Sequence, residues 1–182
     1  VDALEHIHFF CRSLVATDLP DPRSLDINTA FACLAGTGKH VTVQASHPDH
    51  VAAIADLAHS VAGGRDAFAE RPILSLNINH VVPPLRFDAD SAGVMAEAAR
   101  LELPFHINSF DQAGASSPAA LAGAVVQAVA ETLAGLVFAQ AINPTCKAVF
   151  GPRPMITDLR SGAMTGGCGE QAIAMAAAVQ MG

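Results

Sequence analysis

Val41-Thr42-Val43-Gln44, a helical stretch from Pro48 to Ala62 closed by Gly63-Gly64, and then Ile73-Leu74-Ser75-Leu76-Asn77-Ile78 form the strand, helix, strand unit on which the fold turns. The first piece is rich in β-branched residues, which suit a pleated and half-buried surface. His47 before Pro48 puts a proline in the first helical turn, and the two glycines are a strong stop signal. Two strands separated by a whole helix are joined by a crossover, so they run parallel.

Working outward, the alternation continues in both directions. Upstream lie a strand at Ile7-His8-Phe9-Phe10 and a helix over residues 24–35. Downstream, Asp88 caps a helix from Ala89 to Leu101, and Leu103-Pro104-Phe105-His106-Ile107 is a strand with its proline near the start. Ser117-Pro118 opens a helix that runs to Leu133 and stops at Gly135. Strands come next at Leu136-Val137-Phe138-Ala139 and Ala148-Val149-Phe150, and residues 168–181 form a last Ala-rich helix. The expectation is an α/β fold of about six parallel strands with crossover helices, in a single domain over residues 1–182. The apolar strands suggest a sheet covered on both faces. The residues leave two architectures open, a (β/α)8 barrel and an open doubly wound sheet. No Gly-x-Gly-x-x-Gly turn follows the first strand, which weakens the dinucleotide version of the second. Gly36-Thr37-Gly38-Lys39-His40 is not a phosphate loop, because it precedes a strand instead of joining a strand to a helix.

Hydrophobic residues make up 51% of the 182 and charged residues 15%, which excludes disorder. The formal net charge of −7 argues against a nucleic-acid surface. The richest apolar run, Leu121 to Ala141, is broken by Gln127, Glu131 and Gln140, so no membrane span is expected. Nothing at the N-terminus resembles a signal peptide, and Cys11, Cys33, Cys146 and Cys168 form no Cys-x-x-Cys pair. A cytoplasmic, reducing location is the simplest reading. Val1 opens the chain without a methionine and Met181-Gly182 closes it inside a helix. The chain is expected to be a piece of a longer protein, and its two open sheet edges are expected to favour homo-oligomers.

In a barrel the chemistry sits at the C-terminal ends of the strands. Those ends carry Gln44 and Ser46; Asn77, Asn79 and His80; His106, Asn108 and Ser109; Gln140 and Asn143; and Arg153, Asp158 and Arg160. Neutral amides dominate and acids are few, with Asp111 and Asp158 near strand ends and Glu131 and Glu170 inside helices. Such a set suits binding a small polar molecule better than metal-dependent hydrolysis, which needs converging carboxylates and histidines. The contrary signal is His6-x-His8, whose side chains would share one face of a strand. It supports an alternative reading, a metal-dependent hydrolase using His6 and His8. The candidate substrate-binding residues are Gln44, Asn77, Asn79, Phe105, His106, Gln140 and Asn143; no metal ligand and no catalytic residue is assigned.

Four blocks, in order, carry a resemblance to a known family. They are Pro83-Pro84-Leu85; Gln112-Ala113-Gly114-Ala115-Ser116-Ser117-Pro118-Ala119-Ala120-Leu121-Ala122-Gly123; Ala130-Glu131-Thr132-Leu133-Ala134-Gly135; and Asp158-Leu159-Arg160-Ser161-Gly162 with Gly169-Glu170. Together they resemble the trimethylamine methyltransferase family, corrinoid-dependent enzymes that demethylate tertiary and quaternary amines. Pro83 and Gly169 depart from the family's serine and proline. The resemblance implies a partial (β/α)8 TIM-type barrel. It also implies methyl transfer from an amine such as trimethylamine or glycine betaine to the cobalt of a corrinoid protein. The implied partners are that corrinoid protein, carrying the cobalamin, and the methylated amine. No cofactor is expected to be held tightly by this chain. Archaeal trimethylamine members carry pyrrolysine; its position is expected beyond Gly182, and the chain resembles the non-pyrrolysine members that act on betaines. A cation of that kind is held by aromatic faces and amide oxygens. With no Trp or Tyr, the available rings are Phe9, Phe10, Phe105, Phe110 and Phe138.

Overall fold

The structure, a computed structural model, describes residues 1–182. Its elements are β1 (Phe9–Cys11), α1 (Pro22–Gly36), β2 (His40–Val43), α2 (Pro48–Ala62), α3 (Arg65–Glu70), β3 (Leu74–Asn79), β4 (Val81–Val82), β5 (Arg86–Phe87), α4 (Ala89–Arg100), β6 (Phe105–Ser109), β7 (Gln112–Ala113), α5 (Leu121–Ile142), β8 (Ala148–Pro152), β9 (Met155–Thr157), β10 (Met164–Thr165) and α6 (Gly169–Met181). Three of the crossover helices start on a side-chain cap. Asp21 accepts from Ser24 N ahead of α1 and Asp88 from Ser91 N ahead of α4, while His47 accepts from Asp49 N ahead of α2. Gly63, in the left-handed region, ends α2.

Five strands pair in parallel in the order β1-β2-β3-β6-β8, each beside its predecessor in the chain. A doubly wound sheet reverses its order partway; this one does not. The helices pack in the same succession, α1 on α2, α2 on α4 and α4 on α5. Strand registers assign each side chain to a face. Val41 and Val43, Leu74, Leu76 and Ile78, and Phe105 and Ile107 point to the helices, where they join Ile54, Ala58, Val94, Met95 and Ala98 in one core. Each such side chain contributes about 1.5–3 kcal/mol when fully buried. The alternate positions hold Phe9, His40, Thr42, Gln44, Ser75, Asn77, Asn79, His106 and Asn108 on the opposite face. The strands therefore alternate, and the expectation of strands apolar on both faces is corrected: the helix-facing positions carry most of the hydrocarbon, and the other face is mainly polar with Phe9 and Val149 among it.

That second face is concave. Phe9 of β1 and His106 of β6 have ring centroids 5.7 Å apart, although three strand spacings, about 14 Å in a flat sheet, separate their strands. The short elements β4 and β5, which pair antiparallel, come after the C-terminal end of β3, and β7 and β9 come after β6 and β8. The C-terminal side of the sheet is thus the elaborated one.

One expected strand is absent. Leu136-Val137-Phe138-Ala139 lies inside α5, which spans 22 residues and passes straight through Gly135. Five strands, not six, make the sheet. By length and composition α5 could cross a membrane, yet it packs on α4, α6, β6 and β8, and its apolar side chains serve those contacts. Its start is at Leu121 and not Ser117, because Gln112 O accepts from the backbone N–H groups of Ala115, Ser116 and Ser117 and holds them in a turn. Gly135 is a contact residue rather than a stop. A Cβ there would lie 2.5 Å from His80 Nε2 and 2.8 Å from Ile107 Cγ2. In an open helix Gly→Ala gains about 1 kcal/mol. Here Gly135→Ala is expected to lose about 1–3 kcal/mol by overpacking, read as a lower midpoint in urea unfolding; a midpoint that rises would show that His80 can move aside.

Candidate functional site

The concave face is a hydrogen-bonded polar surface. Ser75 Oγ stands between two rings, 2.8 Å from His40 Nε2 and 3.1 Å from His106 Nε2. One layer nearer the C-terminal ends, Asn108 Nδ2 donates to Asn77 Oδ1 at 2.5 Å. Burial pushes the His106 pKa down, and the nearby His40 ring and Arg153 guanidinium push the same way. His106 is therefore a neutral ring at neutral pH.

At the C-terminal ends of β1, β2 and β3 this surface opens into a cavity of about 380 Å³, a size suited to a small metabolite. Its polar lining includes Arg12, Asp26, Gln44, Ser46, Asn77 and Asn79, and its apolar lining includes Leu25, Ile78 and Val94. An Arg12 nitrogen donates to Gln44 Oε1 at 2.5 Å. Asp26, 3% exposed on α1, is the acceptor hub: its Oδ2 takes Ser46 N at 2.7 Å, Ser46 Oγ at 2.8 Å and His50 Nδ1 at 2.7 Å. This ties the β2–α2 loop to α1 and fixes the wall of the cavity.

Of the residues singled out from sequence, Gln44, Asn77 and Asn79 meet in this cavity. His106 lies on the same face but deeper along the sheet. Phe105 is fully buried among the helix-facing side chains, because its register is one residue off the concave set. Gln140 and Asn143 are on the far side. They close α5, which runs against the strands and ends at their N-terminal edge, where Asn143 Nδ2 donates to Ala99 O at 2.9 Å. The expected strand that would have carried them forward is helix. None of the nine Phe residues lines the cavity. His6 and His8 are exposed and precede β1, at the sheet's N-terminal edge, and no group of three metal-ligating side chains converges anywhere in the chain. The hydrolase reading has no support in this geometry. Sequence reasoning misses Arg12, although it sits just past a strand end as Gln44 does; Asp26 gives no signal, since it sits inside a helix.

A second polar cluster lies behind β6. The Glu131 carboxyl group accepts from Leu85 N at 2.8 Å, from Gln127 Nε2 at 3.1 Å and from the Ser109 hydroxyl. Gln127 Nε2 also donates to Ser116 O at 3.0 Å. Buried His80 donates from Nε2 to Glu131 O at 2.9 Å, and burial pushes its pKa down, so the ring is neutral. Asp111 is fully buried and neither carboxyl oxygen has a hydrogen-bond partner. The Pro83-Pro84-Leu85 turn, the Gln112–Ser117 loop and the Glu131 segment are brought together here by these bonds. Asp158 and Arg160, 3.5 Å apart, form an exposed local pair in a turn.

Comparison with known proteins gives one consistent result. The family model for trimethylamine methyltransferase matches residues 1–182. A glycine betaine methyltransferase from Desulfitobacterium hafniense (strain Y51) is 34% identical over 126 residues, which is 69% of this chain and 26% of that protein. Trimethylamine methyltransferase MttB from Methanosarcina thermophila is 29% identical over 181 residues, 99% of this chain and 37% of that protein. Another protein named trimethylamine methyltransferase MttB, from Desulfitobacterium hafniense (strain DSM 10664 / DCB-2), is 28% identical over 160 residues, 88% of this chain and 32% of that protein. The chain thus spans about a third of the length of the curated relatives it matches.

Proposed function

The chain belongs to the trimethylamine methyltransferase family, and from that premise we propose that the protein carrying it moves a methyl group from a tertiary or quaternary amine to a corrinoid protein. Relatives that bear both trimethylamine and glycine betaine methyltransferase names support the reaction class. The observation that carries the reading in this chain is the small polar cavity at the C-terminal ends of parallel strands, where barrel enzymes bind substrate. We take residues 1–182 as one domain and the five strands as part of a (β/α)8 barrel. The sequential strand order, the succession of helices on one face and the curl that brings Phe9 to His106 support this. A cytoplasmic location, and self-association through the open edges β1 and β8, belong to the same proposal.

The cavity has the volume of a small amine and not of a corrin ring, so the residues here fit the substrate and the corrinoid is assigned to the partner. Bound there, it supplies the strongly nucleophilic cobalt that takes up the methyl group. This chain's part is binding and orientation. Gln44 and Asn77 offer amide dipoles held in place by Arg12 and Asn108, Asn79 adds an exposed amide beside them, and a fixed approach of donor and acceptor removes much of the entropic barrier. A quaternary amine needs no proton to leave, which agrees with a cavity that holds no general acid beyond the Asp26–His50 pair, already engaged in the wall.

The test is direct. The full-length protein is mixed with reduced cobalamin, then with its corrinoid protein, and with trimethylamine, glycine betaine and carnitine, following corrinoid absorbance. Methylation with at least one amine is expected. No methylation from any of them with either corrinoid source would overturn the reading.

A further inference from the structure

A quaternary amine brings a positive charge into the cavity, and the lining meets it in one place. None of the nine Phe residues lines the cavity, so no aromatic cage stands there. Two of its three amides have their oxygens engaged, Gln44 by Arg12 and Asn77 by Asn108, which leaves the Asn79 amide. Asp26 is the one acid in the lining. All three of its donors, Ser46 N, Ser46 Oγ and His50 Nδ1, converge on Oδ2. Oδ1 accepts from nothing, and unlike the two carboxyl oxygens of Asp111 it is not sealed inside the protein. The residue is 3% exposed and lines the cavity, so the cavity is where that oxygen opens. Both Ser46 donors are neutral groups, which orient the carboxylate without cancelling its charge. Arg12, the one base in the lining, bonds to Gln44 and forms no ion pair with Asp26. Pro22 and Leu25, on the same helix as Asp26, belong to the apolar part of the lining. A carboxylate oxygen held rigid among apolar groups fits a quaternary ammonium. Such a cation offers methyl groups for the apolar contacts and a charge that attracts strongly where water is scarce.

We propose that Asp26 Oδ1 binds the ammonium of the substrate and selects charged amines over neutral molecules of the same shape. This rests on the methyl-transfer reading and adds the residue that holds the charge. It also decides which kinetic constant Asp26 governs. As the methyl group leaves, the C–N bond breaks, its electron pair stays on nitrogen and the amine departs uncharged, while the acceptor's own pair makes the new bond to carbon. The attraction to Asp26 is therefore largest in the bound substrate and fades toward the transition state. It lowers KM and does not raise kcat.

Binding of choline, and of its neutral isostere with carbon in place of the nitrogen, to the full-length protein is measured by calorimetry for the wild type, Asp26→Asn and Ser46→Ala. Choline is expected to bind at least about tenfold tighter than the isostere. Asp26→Asn is expected to abolish that gap by weakening choline alone. Ser46→Ala removes a donor from Oδ2 but keeps the charge, and is expected to retain the gap. Equal affinities in the wild type, or a gap that survives Asp26→Asn, would overturn the proposal. So would a gap lost equally in Ser46→Ala, which would put the shape of the wall in place of the charge. If Asp26→Asn does not unfold cooperatively, a crystal structure of the full-length wild type with choline decides: the ammonium is expected against Asp26 Oδ1, and an ammonium seated elsewhere in the cavity sinks the idea. With the amine that the methyl-transfer assay identifies, Asp26→Asn is expected to raise KM about tenfold without lowering kcat; a lower kcat at unchanged KM would refute the role. The two readings fail separately. Choline held by Asp26 with no methyl transfer from any amine refutes the reaction and leaves the cation site standing, whereas methyl transfer with a KM indifferent to Asp26→Asn does the reverse.

Discussion

Replacing Glu131 with alanine is expected to cost the fold about 2–4 kcal/mol, a large share of a domain's total stability. The side chain is 2% exposed and accepts from three donors on three different segments, Leu85 N, Gln127 Nε2 and the Ser109 hydroxyl. A buried donor stripped of its acceptor costs about 1–3 kcal/mol. Gln127 is partly exposed and Leu85 lies in an exposed turn, so both can turn to water; the fully buried Ser109 hydroxyl has no such escape. The loss also frees the Pro83-Pro84-Leu85 turn, where Leu85 is in the left-handed region at φ 54°, costly for a residue with a Cβ and retained because Glu131 pins its N–H. Glu131→Gln keeps an acceptor for Leu85 and presents an amide to a hydroxyl that can accept, so it should lose no more than about a third as much. Urea unfolding of the three proteins checks this. Alanine and glutamine variants with the same midpoint would show that the acceptor is not what matters at this position.

The second large effect is a pH dependence at Asp111. Its carboxyl is fully buried and unpartnered, and burial raises its pKa from 3.8 to about 6. The nearby Ser117 hydroxyl opposes the rise without making a bond of normal geometry, and the negative charge of Glu131 adds to it. With the folded pKa above the unfolded one, the native state binds the extra proton between about pH 4 and 6, so stability falls as pH rises through that window and is level above it. The size is on the order of 2–3 kcal/mol. Asp111→Asn removes the ionisation. It is expected to match the wild type at about pH 4 and to be more stable by that amount at about pH 8, in melts across the range. Parallel curves for the two proteins would refute the assignment.

The parallel sheet was legible because its signals are local. Pro48 and Gly63 mark both ends of α2, Asp88 caps α4, a β-branched run marks β2 and a short apolar run marks β3, each within a few residues. The cavity was partly legible for the same reason: Gln44, Asn77 and Asn79 could be placed from their positions at or just past the ends of β2 and β3. The errors arose where a residue's role depends on a distant partner. Gly135 reads as a helix stop because nothing in its neighbourhood shows that His80, 55 residues upstream, fills the space where its Cβ would be. That one contact turned the end of α5 into a supposed strand and carried Gln140 and Asn143 to the wrong edge. Asp26 and Glu131 are inside helices, and their value comes from donors that only folding delivers.

The neighbour-by-neighbour order of the sheet bears on how the chain is made. Each strand pairs with the one synthesised just before it, β3 with β2 and β6 with β3. A ribosome adding residues at about 5–20 per second delivers a new strand and helix every few seconds, and that unit finds its template already standing. No strand has to wait for a distant segment or leave a gap for one. Translation order and assembly order can therefore coincide, with the β1 edge fixed and only the other, advancing edge renewed as each strand arrives.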